Sequence, residues 1–427
     1  MAGGGLKVGP IRFEPGILYR HALVGLYASF TTISMVVLIN LIQPSLLINV
    51  IGVPLSEMGS ATGRLGAAHE IVAIIAMSVI GALSDSHGRR VMYLVGFLTI
   101  GLGYFIYPLA GSLTQLIIFR MIFAIGSATI MTMVTTLAVD YSHQSSRGKW
   151  LGITNMVSGV GVMMMTIVIS RVPVWLEGRG FEATQVSKYV FWLAAAICFV
   201  SALIVGLGLK GKPPHGPAAK DSPLSAALTA LKLGLKDRKL CLTYGAAFIG
   251  RGDLAIIGMF MPLWVTSAAL AAGSTTGEAT VRAGTLLVVH QLAVVIWATF
   301  AGMLNDRFSK ISVLAFAFII ASMGYSILWA INDPFSPFSL IGVVVLAAGE
   351  ISIIITNVAI AGDQAPQASR GAVIGLLGVF GGIGIAMATF LGGELFDAVS
   401  VTAPFAMMVM LNMVIIIWAV IVRRSLA

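Results

Sequence analysis

The sequence predicts an all-α membrane protein, with twelve transmembrane helices arranged as two pseudo-symmetric six-helix bundles. Three observations carry this. First, 58% of the 427 residues are hydrophobic and only 10% are charged, with a mean hydropathy of +0.97. A soluble domain carries about 25% charged residues, so this chain cannot cover its own surface with polar groups. Second, the apolar residues gather into twelve runs long enough to cross a bilayer. No period-two alternation of the kind a membrane barrel needs is visible. Third, the two halves of the chain repeat one another at a nearly constant offset.

The segment before the first run, with Lys7, Arg12 and Arg20, has no short apolar stretch followed by a small-residue cleavage site. It is expected to stay in place, with the first span inserting uncleaved. The spans are expected near 24–50, 66–84, 91–109, 115–137, 150–170, 189–209, 241–266, 283–302, 311–331, 338–360, 371–392 and 401–422. The first is long and should bend near Pro44. An even number of spans puts both termini on one side. With that side cytoplasmic, 19 of the 26 Lys and Arg fall on it, against five outside: Arg64, Arg171, Arg179, Lys188 and Arg282. This is the positive-inside pattern, and it accounts for the net charge of +9 without nucleic acid. Cys198 and Cys241 stand alone, with neither a disulfide frame nor metal-ligand spacing.

Residues 1–209 form the first half and 241–427 the second. Between them lies a cytoplasmic linker, 210–240. Its Pro- and Gly-rich opening gives way to a helix start at Asp221 or Ser222 before Pro223. Leu224, Leu228, Leu231 and Leu235 then make an apolar stripe against Lys232, Lys236 and Arg238, the pattern of an amphipathic helix lying under the bundle or on lipid. The repeat is specific. At an offset of 221, His69 aligns with His290, Gly81 with Gly302, Leu83 with Leu304 and Asp85 with Asp306. At 223, Gly126 aligns with Gly349, Asp140 with Asp363, Arg147-Gly148 with Arg370-Gly371, and Gly152 with Gly375. Two six-span halves with sites near the midplane are a transporter architecture.

The stretch Gly81-x-Leu83-x-Asp85-x-x-Gly88-Arg89-Arg90, between the second and third spans, resembles the signature loop of the major facilitator superfamily. A second copy between the eighth and ninth spans keeps Gly302, Leu304 and Asp306, with Ser309 for the second Gly and Lys310 for the first Arg. The resemblance implies two bundles rocking about a cavity lined by the first, fourth, seventh and tenth spans. It implies a gating latch in which Asp85 meets Arg370 at the start of the eleventh span and Asp306 meets Arg147 at the start of the fifth. In each case a carboxylate would face a helix N-terminus and a guanidinium. Arg89 and Arg90 either join that latch or fix topology. Small-residue spacing at Gly148/Gly152, Gly371/Gly375 and Gly378/Gly382 would let helices approach and slide.

Ionisable residues inside spans are costly and are therefore candidates for coupling and binding. Arg251 and Asp253 lie in the seventh span, Glu350 in the tenth and Arg120 in the fourth, where it resembles a motif of proton-coupled members of the family. Glu350 or Asp253 can take up and release a proton. Residues two apart on a helix do not share a face, so Arg251 and Asp253 are each expected to find a partner on another helix. Asn40 and Gln43, ahead of Pro44, are neutral candidates for substrate hydrogen bonds. His69, Glu70 and His290 are candidates for a proton relay or for structural roles.

No catalytic triad, nucleotide loop, cofactor motif or metal frame appears. The function expected is secondary transport of a small molecule by alternating access, coupled to protons and without cofactors, by a monomer in a bacterial inner membrane or a compartment derived from it. Export is favoured only weakly over import, because the Gly-Pro pair usual in drug antiporters is missing from the Gly152–Gly161 region. Carboxylates suit a cationic cargo, while Arg251 and Arg120 suit an organic anion. Import of a metabolite, or of a metal ion or chelate such as iron, is an alternative. A transporter-like membrane sensor or assembly factor is another.

Overall fold

The computed structural model describes residues 6–211, 223–331, 333–367 and 370–425. The opening of the linker, with Lys212, Lys220 and the helix start at Asp221 or Ser222, lies outside the described residues.

Twelve helices are long and apolar enough to span a membrane, and the chain is an integral multi-pass membrane protein. In chain order the helices are α1 (Tyr19–Leu46), α2 (Met58–His87), α3 (Arg89–Ile106), α4 (Leu113–Tyr141), α5 (Arg147–Glu177), α6 (Ala183–Gly208), the linker helix α7 (Pro223–Lys236), α8 (Arg238–Ala271), α9 (Thr276–Arg307), α10 (Lys310–Ala330), α11 (Pro337–Gln364), α12 (Arg370–Ala398) and α13 (Ala403–Arg424). Their starts follow capping chemistry. Ser112, Asp237, Thr275, Ser309 and Ser336 each accept a backbone N–H from the first turn that follows. At Pro44, where a backbone donor is missing, α1 passes within a few residues into a wider π-type turn, Leu47–Ile51, and stops at Gly52 with φ +74°.

By internal packing the chain forms two compact units: Met1–Gly52 with Val72–Ala218, and Val53–Ile71 with Ala219–Ala427. The division therefore runs through α2 rather than after the sixth span. The start of α2 belongs with the second unit because its glycines let its backbone lie directly against that of α12. A Cβ on Gly59 would come within 2.6 Å of the Gly393 carbonyl, and one on Gly63 within 2.5 Å of the Thr389 carbonyl. The Asp397 carboxylate accepts the N–H groups of Gly59 (2.8 Å) and Ser60 (2.7 Å), which satisfies donors at the head of the helix.

In the first unit, α3 and α4 meet at Gly126, where a Cβ would lie 2.4 Å from the Ile100 nitrogen. Tyr93, Phe97, Tyr104, Tyr107, Phe123 and Phe191 form a fully buried aromatic core. A short hairpin that the sequence did not announce, β1 (Lys7–Val8) with β2 (Ile11–Arg12), precedes α1. It is tied to the turn between α4 and α5. Arg12 N–H donates to Ser146 Oγ at 2.9 Å, and the Phe13 ring packs edge-on against Trp150.

In the second unit, α10 and α11 repeat the first unit's contact. A Cβ on Gly349 would lie 2.4 Å from the Ala321 nitrogen. The α8–α12 seam is tighter still, with Gly384 set directly against the Phe248 carbonyl. The glycines expected to mediate sliding behave otherwise. At Gly148, Gly152, Gly371, Gly375 and Gly378 a Cβ would meet nothing within 4 Å. Helix α7 also departs from the expected stripe. Leu231 and Leu233 pack on a core that includes Leu240, Tyr244, Val373 and Leu376, with Gly234 making room for the Tyr244 ring. Leu228 and Leu235 are left 49% and 72% exposed.

Candidate functional site

The chemistry of the second unit centres on α8, α9, α11 and α13. Each contributes a polar side chain to an otherwise apolar interior. Glu350 on α11 is 2% exposed and His290 on α9 is 6% exposed; His290 Nε2 lies 2.8 Å from Glu350 Oε2. Asp253 on α8 is fully buried, and the Asn412 Nδ2 on α13 donates to its Oδ1 at 3.4 Å. The Tyr325 hydroxyl on α10 donates to the backbone carbonyl of Asp253 at 2.8 Å, fixing that turn of α8. The Asp253 and Glu350 carboxylates are near enough to interact electrostatically. Asp253 Oδ2 and Glu350 Oε1 have no hydrogen-bond partner among the described residues. Buried polar groups are normally satisfied, so these two carboxylates, one of them in contact with an imidazole, stand out in the apolar interior.

Sequence reasoning proposed Glu350, Asp253 and His290 separately. The structure brings His290 to Glu350, although 60 residues separate them. Asn412 and Tyr325 were missed. Asn412 had a signal, as an amide inside the otherwise apolar run Ala403–Arg424. The expectation for Arg251 needs correction. Asp253 does find its partner on another helix, but Arg251 is exposed and forms no ion pair or side-chain hydrogen bond among the described residues. Packing explains this: the Arg251 stem lies along α12, where a Cβ on Gly381 would come within 2.6 Å of its Cγ.

In the first unit, Arg120 is 3% exposed; its Nη2 donates to Asn40 Oδ1 at 2.9 Å, and its guanidinium lies 5.2 Å from the centre of the Phe123 ring. Gln43 is 1% exposed and its Oε1 accepts from the Tyr107 hydroxyl at 2.9 Å, so that side chain is committed to the packing of α1. His69 and Glu70 are half-buried on the part of α2 that belongs with the second unit.

The signature loop closes within its own unit. Asp85 is largely exposed and pairs with Arg89 at 2.6 Å, while Arg89 Nε donates to Asp140 on α4 at 2.9 Å. Arg89 also donates to Ser84. Gly88 has φ +90°, a conformation that favours glycine, which explains the residue between the two helices. Lys310, in the place of Arg89, pairs with Asp363, in the place of Asp140. These two acids were missed as partners, although the offset of 223 had already matched them. Arg90 and Arg147 are partly buried, while Asp306 and Arg370 are exposed. Gly81 has open space where a Cβ would stand. Among the described residues no three His, Cys, Asp or Glu side chains gather as a metal would need.

Comparison with known proteins follows the geometry. The chain is 26% identical over 390 residues to the magnetosome protein MamH of Paramagnetospirillum magneticum, covering 88% of this chain and 86% of that protein. It is 26% identical over 428 residues to the magnetosome protein MamZ of the same organism, covering 94% of this chain but only 62% of MamZ. The crystal structure of the nucleoside transporter NupG superposes with a TM-score of 0.74 at 14% identity, covering 94% of this chain and 98% of that one. The family model for the Major Facilitator Superfamily matches residues 24–277 and 243–426. With its twelve spans, its repeated loop and that match across nearly its whole length, the chain belongs to the Major Facilitator Superfamily of transporters.

Proposed function

We propose that this transporter is a proton-coupled secondary carrier of a small organic solute, working by alternating access, with His290 and Glu350 as the proton site and Asp253 as its neighbour. The observation that carries the reading is the buried His290–Glu350 contact beside a second buried carboxyl group. An imidazole and a carboxyl in hydrogen-bond contact pass a proton between them at little geometric cost. Their burial, away from lipid and water, means that access to them must change during a transport cycle. Ionisable groups at such depth mark ion pathways and relays. The charge asymmetry of the loops supports an orientation with both termini cytoplasmic. Arg89 and Lys310, each clamping an acid at the end of a neighbouring helix, stiffen the loops that join the helices on that side.

The experiment is transport into proteoliposomes with an imposed pH gradient, using a panel of nucleosides, organic acids and drug-like cations. Wild-type protein is expected to accumulate at least one of them against its gradient. Glu350→Gln is expected to lose uphill accumulation and to keep exchange of labelled for unlabelled solute at equal concentrations. Uphill accumulation by Glu350→Gln at the wild-type rate would sink the coupling assignment. Absence of both uphill flux and exchange for every solute would sink the transport reading.

A further inference from the structure

A cleft of about 180 Å³ opens within the second unit between α8, α11 and α12. Its walls are mostly apolar, including Gly250, Ile354, Leu377 and Gly378. Two polar side chains, Arg251 and Asn357, line it as well. We propose that this cleft is an anion-binding subsite that takes the carboxylate of a compact organic acid carrying a hydrogen-bond donor. The proposal deepens the transport reading above, on which it rests for the claim that the bound acid is cargo.

Three features of the cleft define the ligand. Arg251 supplies the charge. It lies in a membrane span, where a cation is expensive and normally paired, yet no carboxylate of the described residues pairs with it. The two buried acids of this unit contact other residues, Glu350 with His290 and Asp253 with Asn412. A guanidinium without a partner among the described residues, lining a mostly apolar cleft, presents the forked donor geometry that matches a carboxylate.

Asn357 supplies the second requirement. It is 5% exposed, and its Nδ2 donates to the Thr243 carbonyl at 3.1 Å. That contact fixes which end of the amide is which, because a carbonyl cannot accept from Oδ1. Asn357 Oδ1 has no partner among the described residues. A buried acceptor left open in a ligand-sized cleft calls for a donor on the ligand, a hydroxyl or an N–H.

Volume supplies the third. An apolar cavity of about 150 Å³ holds benzene, so this cleft admits a body about the size of one ring. A cationic cargo does not suit this cleft, because no acidic side chain of the described residues lines it.

The test is ligand-dependent melting of the purified full chain with four probes: 4-hydroxybenzoate, benzyl alcohol, benzylamine and octanoate. A ligand that binds only the folded state raises the melting temperature. 4-Hydroxybenzoate is expected to stabilise the protein and the neutral and cationic ring compounds are not. Arg251→Gln keeps the stem that packs on Gly381 and should weaken the acid by roughly ten- to a hundredfold, the worth of a charge-assisted hydrogen bond. Arg251→Lys should recover part of the loss. Gly378→Leu reaches the same end by another route: Gly378 lines the cleft and a Cβ there meets nothing within 4 Å, so the new side chain has room to start into the space the acid would take. It should abolish the acid's effect while leaving the ligand-free melting temperature near wild type.

Equal stabilisation by benzyl alcohol, or binding of the acid unchanged in both Arg251→Gln and Gly378→Leu, overturns the proposal. Stabilisation by octanoate alone also overturns it, assigning the cleft to lipid acyl chains. Binding of 4-hydroxybenzoate that depends on Arg251 supports the subsite even if no flux of the acid follows, and in that case the cargo reading alone fails. Uphill flux of another solute, with no acid binding, sinks the subsite and leaves the transport reading standing.

Discussion

The two halves of this transporter share a scaffold and differ in chemistry. At matching positions the packing is nearly the same. Gly126 and Gly349 each bring two backbones into contact, α3 with α4 and α10 with α11. Gly103 and Gly324 do so again on the partner helices, against Phe123 and Leu346. Tyr104 and Tyr325 both donate to a backbone carbonyl, of Met35 in one half and Asp253 in the other. Arg89 with Asp140 and Lys310 with Asp363 join the same helix ends. The polar interior follows no such rule. At the offset of 223, Glu350 corresponds to Ser127 and Arg120 to Val343. The first half buries a cation that donates to an amide, and the second buries two carboxyl groups and an imidazole. Backbone approach is a condition of the fold and was kept in both copies. Charge in the interior is costly, so each half carries only the charge it uses.

Variants made in pairs test this contrast. The largest effect is expected at the proposed proton site: Glu350→Gln should lower uphill flux in proteoliposomes by about a hundredfold or more, the scale of losing a positioned proton-transfer group. Ser127→Ala, at the matching place, should leave flux near wild type, and equal losses in both would remove the functional asymmetry. Next, His290→Ala leaves a buried carboxyl without its partner and should cost about 2–3 kcal/mol in unfolding of the solubilised protein. His69→Ala, on the half-buried start of α2, should cost roughly 1 kcal/mol. A larger loss for His69 than for His290 would reverse the assignment.

Packing should show no asymmetry. Gly126→Val and Gly349→Val each force a side chain against a neighbouring backbone and should cost a matched amount, roughly 1–3 kcal/mol, in the same unfolding measurement. A loss in one half alone would show that the shared scaffold is only apparent. The smallest effect belongs to the loop ion pairs. Arg89 and Asp140 are 16% and 19% exposed, while Lys310 and Asp363 are 33% and 52% exposed. Arg89→Ala should therefore cost about 1 kcal/mol and Lys310→Ala a few tenths, with the difference shrinking in high salt.

Much of the fold was legible in the sequence because lipid makes it so. A span must be long and apolar, and that requirement is written locally, residue by residue. The repeat was legible for a related reason: Gly126 and Gly349, or Asp140 and Asp363, sit at equal offsets whatever their roles. What joins across helices was not legible. Nothing local to His290 points to Glu350, and Asn412 meets Asp253 across 159 residues. The expected partner of Arg251 failed for another reason: its place inside a span suggested a buried charge, whereas the side chain is exposed. The glycine spacing at Gly371/Gly375 misled because small residues permit close approach without requiring it. The tight seams instead use Gly384, and Gly59 with Gly393. The hairpin before α1 escaped notice because four residues of strand leave no periodic signature.

That hairpin has a bearing on biogenesis. Its anchor points, Ser146 and Trp150, are synthesised long after it, with 134 residues between Arg12 and Ser146. At roughly 5–20 residues per second, the ribosome needs on the order of ten seconds to supply them. Through that interval Lys7, Arg12 and Arg20 stand before the membrane as free charges, available to set the direction of the first insertion. Only when the fifth span begins to emerge does the hairpin find its dock. Loop charge, which biases orientation, is thus in place early and the packing that fastens the hairpin comes late, and a chain truncated after α4 would keep the first and lack the second.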